Sequence, residues 1–73
     1  SRHRNKPYPD RIYRGRILKI VQEKRTVAIE DIGDYIDPHF DAERDQAWVL
    51  RMVDRMEKDR LIKRSNHKVE IHE

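Results

Sequence analysis

Hydrophobic residues change their spacing within the last third of the chain, and this change predicts two kinds of structure in succession. Apolar side chains first recur at steps of three and four residues, at Trp48, Val49, Met52, Val53 and Met56. Such spacing places side chains along one face of a helix, which we expect to begin near Ala42. From Leu61 onward the period is two, because Val69 and Ile71 alternate with polar residues after a turn at residues 65–67. Alternation of this kind predicts a β-hairpin.

Earlier patterns predict two shorter helices and one strand. Apolar residues at helical spacing predict a first helix from Arg11 to about Lys24, with Asp10 as its N-cap. The β-branched residues that begin at Thr26 predict a short strand, and residues 30–36 predict a second helix with its acids outward. The order is helix, strand, helix, helix, strand, wing, strand. This order predicts an α+β winged helix-turn-helix fold, with three helices, a small antiparallel sheet and a β-hairpin wing.

Several single residues carry predictions about packing. Phe40, in the loop before the third helix, is expected to fill a gap in the core, and Asp41 is expected to cap that helix. Gly15 lies inside the first helix, where glycine costs about 1 kcal/mol relative to alanine, so we expect another element to approach closely there. Trp48 lies between the apolar and basic faces of the third helix and should be at least half buried. The inner face of the hairpin is expected to consist of Ile62, Val69 and Ile71.

Composition limits the size of the core and the sites that it can contain. The chain has 73 residues, of which 36% are hydrophobic and 42% charged, and it has no cysteine. A domain of this length is near the lower limit for folding unaided, so nearly all large apolar residues must pack inward. The lack of cysteine excludes a disulfide framework and a thiolate metal site. No apolar run approaches membrane-spanning length, and we expect a monomer in an intracellular, cytoplasmic setting.

Charge is distributed unevenly along the chain. Residues 1–25 carry nine Lys or Arg against two acids, residues 26–50 carry one against seven, and residues 51–73 carry seven against five. A basic surface favours polyanions such as nucleic acid, whereas the acidic middle would repel phosphate and suits a protein partner. Residues 1–9 combine basic charge with two prolines and no hydrophobic period. They predict a flexible arm or linker remnant, followed by the domain at residues 10–73.

A second stripe on the third helix supplies a candidate binding site. At 100° per residue, its cations lie together on the side opposite the apolar face. In helix-turn-helix proteins the helix at this position lies in the major groove of DNA, where Arg and Lys contact phosphates and guanine edges. With the hairpin cations added, the predicted DNA-binding residues are Arg44, Arg51, Arg55, Lys58, Lys63, Arg64 and Lys68. A basic outer face is also common on an ordinary solvated helix, where Asp54 and Lys58 could form an i,i+4 pair.

The residues that catalysis requires do not occur in a suitable arrangement. His3, His39, His67 and His72 are isolated from one another and lack metal-ligand spacing. Carboxylates are plentiful, but a general acid or base needs an enclosing pocket that this small core cannot build. The two glycines cannot form a phosphate-binding loop. We therefore predict a non-catalytic domain with no catalytic residue, metal ligand or cofactor.

Two short runs resemble a family of DNA repair enzymes. Residues 13–18 (Tyr-Arg-Gly-Arg-Ile-Leu), preceded by residues 10–12 (Asp-Arg-Ile), resemble a run that follows the iron-sulfur cluster loop in some A/G-specific adenine DNA glycosylases. Residues 56–62 are similar to the Leu-x-x-Asp-Gly-Leu-Ile run that precedes a hairpin in those enzymes, with Arg60 in place of the glycine. The resemblance implies a C-terminal accessory domain of winged-helix type. No catalytic residue can be carried over, because the catalytic core and the cluster cysteines are not in this chain.

Two functions fit these observations. The first is an accessory winged-helix module that binds duplex DNA weakly and non-specifically within a larger DNA-acting protein, for which the resemblance suggests base-excision repair. The alternative is a winged-helix protein-protein interaction module, because a fold of this kind does not determine its partner. Its interface would be the acidic surface from Glu30 to Asp45 with Tyr35 or Leu50, and it would contact the rest of its parent or another protein.

Overall fold

A computed structural model describes residues 2–73, and within them the chain forms three helices and one three-stranded antiparallel sheet. The elements are α1 (Asp10–Lys24), β1 (Thr26–Ala28), α2 (Ile29–Ile36), α3 (Ala42–Lys58), β2 (Ile62–Ser65) and β3 (Lys68–Ile71). The predicted α+β class and the predicted order of elements are confirmed. Ser1, the first residue of the predicted arm, lies outside the described residues.

The sheet has the strand order β1-β3-β2, so the last strand of the chain is central. Val69 lies opposite Val27 on one side, and Ile71 lies opposite Ile62 on the other. Directly opposite residues share a face of an antiparallel sheet, and these four form its inner face. Ile62 and Val69 are fully buried, whereas Ile71 is partly buried at the margin of the core. The predicted inner face of the hairpin is therefore confirmed.

All three helices contribute to one core that covers this inner face. The apolar stripe of α3 is buried over its whole length, as its period predicted. The core residues are Tyr13, Ile17, Val21, Val27, Ile29, Ile32, Ile36, Trp48, Val49, Met52, Val53, Met56, Ile62 and Val69. Among residues 2–73, none of the helices combines the length and apolar character that crossing a lipid bilayer requires.

The two glycines have opposite surroundings. The close approach predicted at Gly15 is wrong, because no atom of another element lies within 4 Å of the position that a Cβ would take. Gly33 is the glycine that packing requires, since a Cβ there would lie 2.3 Å from the ring of Phe40. Phe40 packs against the core at this point, which confirms its predicted role. A side chain on α2 at this position would displace the ring.

The aspartates at the starts of α1 and α3 have different hydrogen-bonding roles. Asp41 caps α3 as predicted, and its Oδ1 accepts a hydrogen bond from the Arg44 backbone N–H at 3.0 Å. The prediction that Asp10 caps α1 is wrong, because the helix begins at Asp10 and Pro9 occupies the N-cap position. Asp10 Oδ1 instead accepts a hydrogen bond from the indole Nε1 of Trp48 at 3.1 Å. A buried indole N–H needs an acceptor, so Asp10 connects α1 to α3.

The turn after α3 has an arginine in a left-handed backbone conformation. Arg60 has a φ of 61° and occupies the position at which helices usually end in glycine. Its N–H donates to Glu57 O, and the next N–H, from Leu61, donates to Met56 O, each at 3.0 Å. These two bonds are those of a Schellman motif, which satisfies the last carbonyls of a helix. The arginine therefore adopts a backbone conformation that favours glycine.

Part of the N-terminal arm packs against the domain. The Lys6 N–H donates to His3 O at 3.1 Å and closes a turn, in which Asn5 has a φ of 61°. Asparagine and glycine are the residues that tolerate a positive φ in such turns. Lys6 is only 5% exposed, and the His3 ring stacks on Trp48 with centroids 4.7 Å apart. The composition of the arm did not predict this packing, and the domain boundary at residue 9 stays a prediction.

Candidate nucleic-acid interface

The outer face of α3 carries the basic stripe that the helical period predicts. Its four cations, all exposed, are Arg44, Arg51, Arg55 and Lys58. The opposite face is inaccessible to solvent at Val49 and Val53. From the first to the last of these cations the stripe is about 21 Å long, at a rise of 1.5 Å per residue. A stripe of this length can follow several phosphates of a nucleic-acid backbone.

Ion pairing divides the seven predicted DNA-binding residues into two groups. Four have carboxylate partners, and the pairs are Arg44 with Asp45 at 2.9 Å, Arg55 with Asp59 at 3.2 Å, Arg64 with Asp54 at 3.4 Å and Lys63 with Glu70 at 3.8 Å. Asp54 thus contacts the hairpin rather than Lys58. Among residues 2–73, Arg51, Lys58 and Lys68 have no carboxylate within ion-pair distance. These three can bind an anion without first losing a partner.

The hairpin cations do not share one surface. Arg64 lies opposite the buried Val69, on the inner face of the sheet, whereas Lys63 lies opposite Glu70 on the outer face. Lys68 is on the outer face too, because side chains alternate along a strand. Arg64 is held beside α3, since its backbone N–H donates to Glu57 Oε2 at 3.2 Å. The structure therefore brings Arg64 towards the stripe and turns the other two hairpin cations away from the core.

A shallow groove between α1 and α3 lies beside the basic stripe. Its volume is about 220 Å³, and its lining residues are Asp10, Arg14, Trp48, Arg51, Met52 and Arg55. Arg14 is not one of the seven residues predicted on α3 and the hairpin, although its basic charge on the first helix favours contact with nucleic acid. The signal that could have identified it is its position on α1, three residues before the buried Ile17 and four after Asp10. That spacing places Arg14 at the border of the buried face, where it can meet α3.

A buried cluster of charges lies at the N-terminal end of the stripe. Lys6 Nζ lies 2.8 Å from Asp45 Oδ2 and forms a second ion pair with Asp37 Oδ2. Asp45 also accepts hydrogen bonds from Arg44 Nε at 3.0 Å and from the Asp41 N–H at 3.1 Å. Lys6, Asp37 and Asp45 are each 5% exposed or less. Buried charges persist only where they are paired in this way.

The surroundings of Asp45 and Lys6 favour the ionised forms of both groups. Hydrogen bonds from Arg44 and then from Lys6 hold the pKa of Asp45 well below its usual range, although burial acts to raise it. Burial acts to lower the pKa of Lys6, but the hydrogen bonds and charges of Asp37 and Asp45 outweigh it and raise that pKa. At neutral pH Asp45 and Lys6 are therefore both charged. Removing Lys6 would leave the buried carboxylate of Asp37 without its ion-pair partner.

Trp48 connects the charge cluster to the groove. It is 2% exposed, which confirms the prediction that it is at least half buried. The Tyr13 ring meets it edge to face at a centroid distance of 4.9 Å, and Lys6 Nζ lies 5.3 Å from its ring centroid. The stacked His3 covers another part of the indole, and its Nε2 lies 3.2 Å from Asp45 Oδ1. The arm thus covers a tryptophan that also lines the groove.

The acidic middle of the chain forms a smaller acidic surface than its composition indicates. Asp37 and Asp45 are buried among cations and do not contribute to it. The exposed acids of α2 are Glu30, Asp31 and Asp34. Tyr35 is 50% exposed beside them, with Lys24 Nζ at 5.3 Å from its ring centroid. Leu50, the other predicted contact residue, is partly buried against the core.

Comparison with known proteins assigns no family to the chain. Within residues 2–73, no group of three or more His, Asp or Glu side chains is arranged to hold a metal ion. The resemblance of residues 13–18 to adenine DNA glycosylases stays a prediction that no relative tests. No protein-family model matches the sequence, and no match is found among curated proteins or solved structures.

Proposed function

We propose that the chain is a winged-helix module that binds the phosphate backbone of duplex DNA weakly and with little sequence preference. The order of helices and strands and the sheet order β1-β3-β2 support this fold. In helix-turn-helix proteins the helix in the position of α3 presents its outer face to the DNA. Here that face carries the basic stripe. The short run that resembles adenine DNA glycosylases favours a base-excision repair enzyme as the parent protein.

The observation that carries the proposal is the pair of unpartnered cations on α3. Arg51 and Lys58 are exposed, have no ion-pair partner among residues 2–73, and lie two helical turns apart on one face. Arg14, on α1, and Arg55, on α3 itself, line the same groove as Arg51. Cations that neutralise phosphates release counterions from DNA, so binding should weaken steeply as salt increases. Affinity in the non-specific range, with a Kd of about 10⁻⁶ to 10⁻⁴ M, is expected.

The N-terminal turn of α3 explains why little base recognition is expected. DNA-reading helices commonly contact base edges through their N-terminal residues. Asp41 and Glu43 are exposed at this end of α3, and acidic side chains repel the phosphates that border the groove. Asp41 is also committed to capping the helix. The two cations without an ion-pair partner, Arg51 and Lys58, lie in the middle and at the end of the helix, where phosphate contacts position a protein without selecting a sequence.

A titration of labelled duplex by fluorescence anisotropy, at low and at physiological salt, tests the proposal. Arg51→Glu and Lys58→Glu should each weaken binding, and each lost phosphate contact should reduce the slope of log K against log salt by about 0.9. Lys19→Glu is a matched control, because Lys19 is exposed on α1 and the substitution changes net charge equally. Equal losses in all three variants would mean that net charge alone drives binding. No binding at low salt would exclude the DNA function.

Contact with another protein through α2 is the second candidate function. The observation that favours it is the half-exposed ring of Tyr35, since large aromatic side chains are enriched at protein interfaces. Its acidic neighbours on α2 would suit a basic partner. Backbone NMR shifts during the DNA titration distinguish the two candidates. Shifts along α3 support DNA binding, whereas shifts confined to residues 30–45 would indicate that α2 is the contact surface.

A further inference from the structure

The docked arm changes the charge at the N-terminal end of α3. Four carboxylates, those of Asp37, Asp41, Glu43 and Asp45, lie in or just before the first turn of this helix. Without the arm their neighbouring cation would be Arg44. Lys6 pairs with two of the four and buries them, so they no longer face solvent. The acidic charge exposed at this end of α3 is thereby reduced to that of Asp41 and Glu43.

The same docking places two further cations beside the stripe. Arg2 and Arg4 are exposed, and they flank His3 in the sequence. The His3 ring stacks on Trp48, which lines the groove with Arg14 and Arg51. Successive Cα atoms are about 3.8 Å apart, so the backbone of Arg2 and Arg4 is held within one residue of that stack. Exposed cations at these two positions can extend the basic surface beyond the first turn of α3.

We infer that the arm is part of the DNA-contacting surface, with Arg2 and Arg4 binding backbone phosphates in continuation of the α3 stripe. Lys6 is a positioning residue in this arrangement, because its buried ammonium group cannot reach a ligand. A tethered arm loses less conformational freedom on binding than a flexible one, so the charge cluster increases affinity without touching DNA. This inference rests on the proposed function.

The turn at Asn5 allows the arm to be released without any change of charge. Asn5 is exposed and has a φ of 61°, which a β-branched residue adopts only with strain. Asn5→Ile should therefore open the turn that joins His3 to Lys6, whereas Asn5→Gly should preserve it. Because both substitutions leave the net charge unchanged, they separate the position of the arm from its charge. Trp48 fluorescence reports docking directly, since release of His3 exposes the indole to water.

The test compares the salt dependence of duplex binding among variants of the full chain. Replacing Arg2 and Arg4 together by Ala should reduce the slope of log K against log salt by about 1.8, or 0.9 for each phosphate contact. Asn5→Ile should reduce the slope towards the same value and shift Trp48 emission to longer wavelength, and Asn5→Gly should do neither. Adding Asn5→Ile to the double Ala variant should cause no further loss of affinity, because the turn at Asn5 acts only through Arg2 and Arg4. Lys6→Met is a second way to release the arm.

The possible outcomes distinguish the role of the arm from the proposed DNA-binding function of the whole chain. If Arg51→Glu weakens binding but Asn5→Ile, Lys6→Met and the double Ala variant bind like the unaltered chain, the role of the arm is overturned and the module function stands. If Asn5→Ile weakens binding equally with and without Arg2 and Arg4, the arm acts through something other than these cations, which also overturns the inference. Absence of duplex binding by the unaltered chain at low salt overturns both proposals.

Discussion

The two ends of α3 are held in place by different forces. At its N-terminal end, Lys6, Asp37 and Asp45 form a buried cluster in which each charge has an opposite charge in contact. At its C-terminal end, the ion pairs are exposed, and the packing comes from apolar hairpin residues such as Ile62 and Val69. Exposed pairs contribute about 0–1 kcal/mol, whereas breaking a buried pair costs several times more. The N-terminal charges therefore contribute to stability. The exposed C-terminal charges can take part in binding at little cost to stability.

Removing one charge from each end of α3 tests this difference most directly. Asp45→Asn should lower the free energy of unfolding by about 1.5–3 kcal/mol, because it removes a charged hydrogen bond of the buried Lys6, which keeps its ion pair with Asp37. Asp54→Asn, which removes the exposed partner of Arg64, should cost at most about 1 kcal/mol. Urea denaturation followed by circular dichroism measures both values. Equal losses would mean that the buried cluster contributes no more than a surface pair.

A complementary change tests the apolar end. Ile62→Ala should lower the free energy of unfolding by about 2–5 kcal/mol, the range for truncating a fully buried aliphatic side chain. Ile71→Ala should cost less, because Ile71 is only partly buried. Substitution of Asn66 by Gly should matter far less than either, since Asn66 is an exposed turn residue with a φ of 59°. Thermal unfolding of the three variants gives the ranking, and a different order would show that the hairpin contributes little to the core.

Acid should lower the free energy of unfolding through the buried cluster at the N-terminal end of α3. The pKa of Asp45 is lowered in the folded protein, so the unfolded chain binds more protons in acid, and stability must fall as pH falls. The loss should begin near the ordinary Asp pKa of about 3.9 and reach a slope of about 1.4 kcal/mol per pH unit below it. The raised pKa of Lys6 has the opposite sense, and its contribution is lost only in strong alkali. Unfolding curves of the unaltered chain and Asp45→Asn, compared between neutral pH and acid, isolate this difference.

Substitutions of the two glycines, neither of which lies in α3, provide a baseline with the smallest expected effect on stability. Gly15→Ala should raise the free energy of unfolding by about 1 kcal/mol, because alanine favours the helix and nothing lies near the added methyl group. Gly33→Ala should instead destabilise the fold, since its methyl group would overlap the Phe40 ring. Differential scanning calorimetry of the two variants would show opposite shifts in Tm. A stabilised Gly33→Ala protein would mean that the ring moves aside at no cost.

Local periodicity predicted most of the fold. The helix period of α3 and the alternation in the hairpin depend on near neighbours in sequence, and the structure buries the residues that these patterns marked, from Val49 to Val69. The opposite orientations of Lys63 and Arg64 were also predictable, because adjacent strand residues face opposite sides. Charge alone groups these two residues together, whereas the alternation of side chains along a strand separates them. Asp10 was misassigned because a cap and an acceptor for a distant indole look the same in sequence.

The buried cluster could not be predicted from the sequence alone. Lys6 and Asp45 are 39 residues apart, and nothing local distinguishes Asp45 from the other acids in the middle of the chain. A basic segment with two prolines is also what a linker looks like, so its composition gave no reason to expect a buried lysine. Only the packing of α2 against α3 brings Asp37 and Asp45 close enough to bind one ammonium group.

The position of Lys6 also has a consequence for the time course of folding. Its binding partners belong to the end of α2 and the start of α3, so the lysine can dock only after those two helices have packed together. Contacts that form after the transition state slow unfolding but do not speed folding. The arm should therefore determine how long a folded molecule persists, while the helices and hairpin set the rate at which it forms. His3 and Lys6 are therefore expected to complete their contacts last, although they lie near the start of the chain.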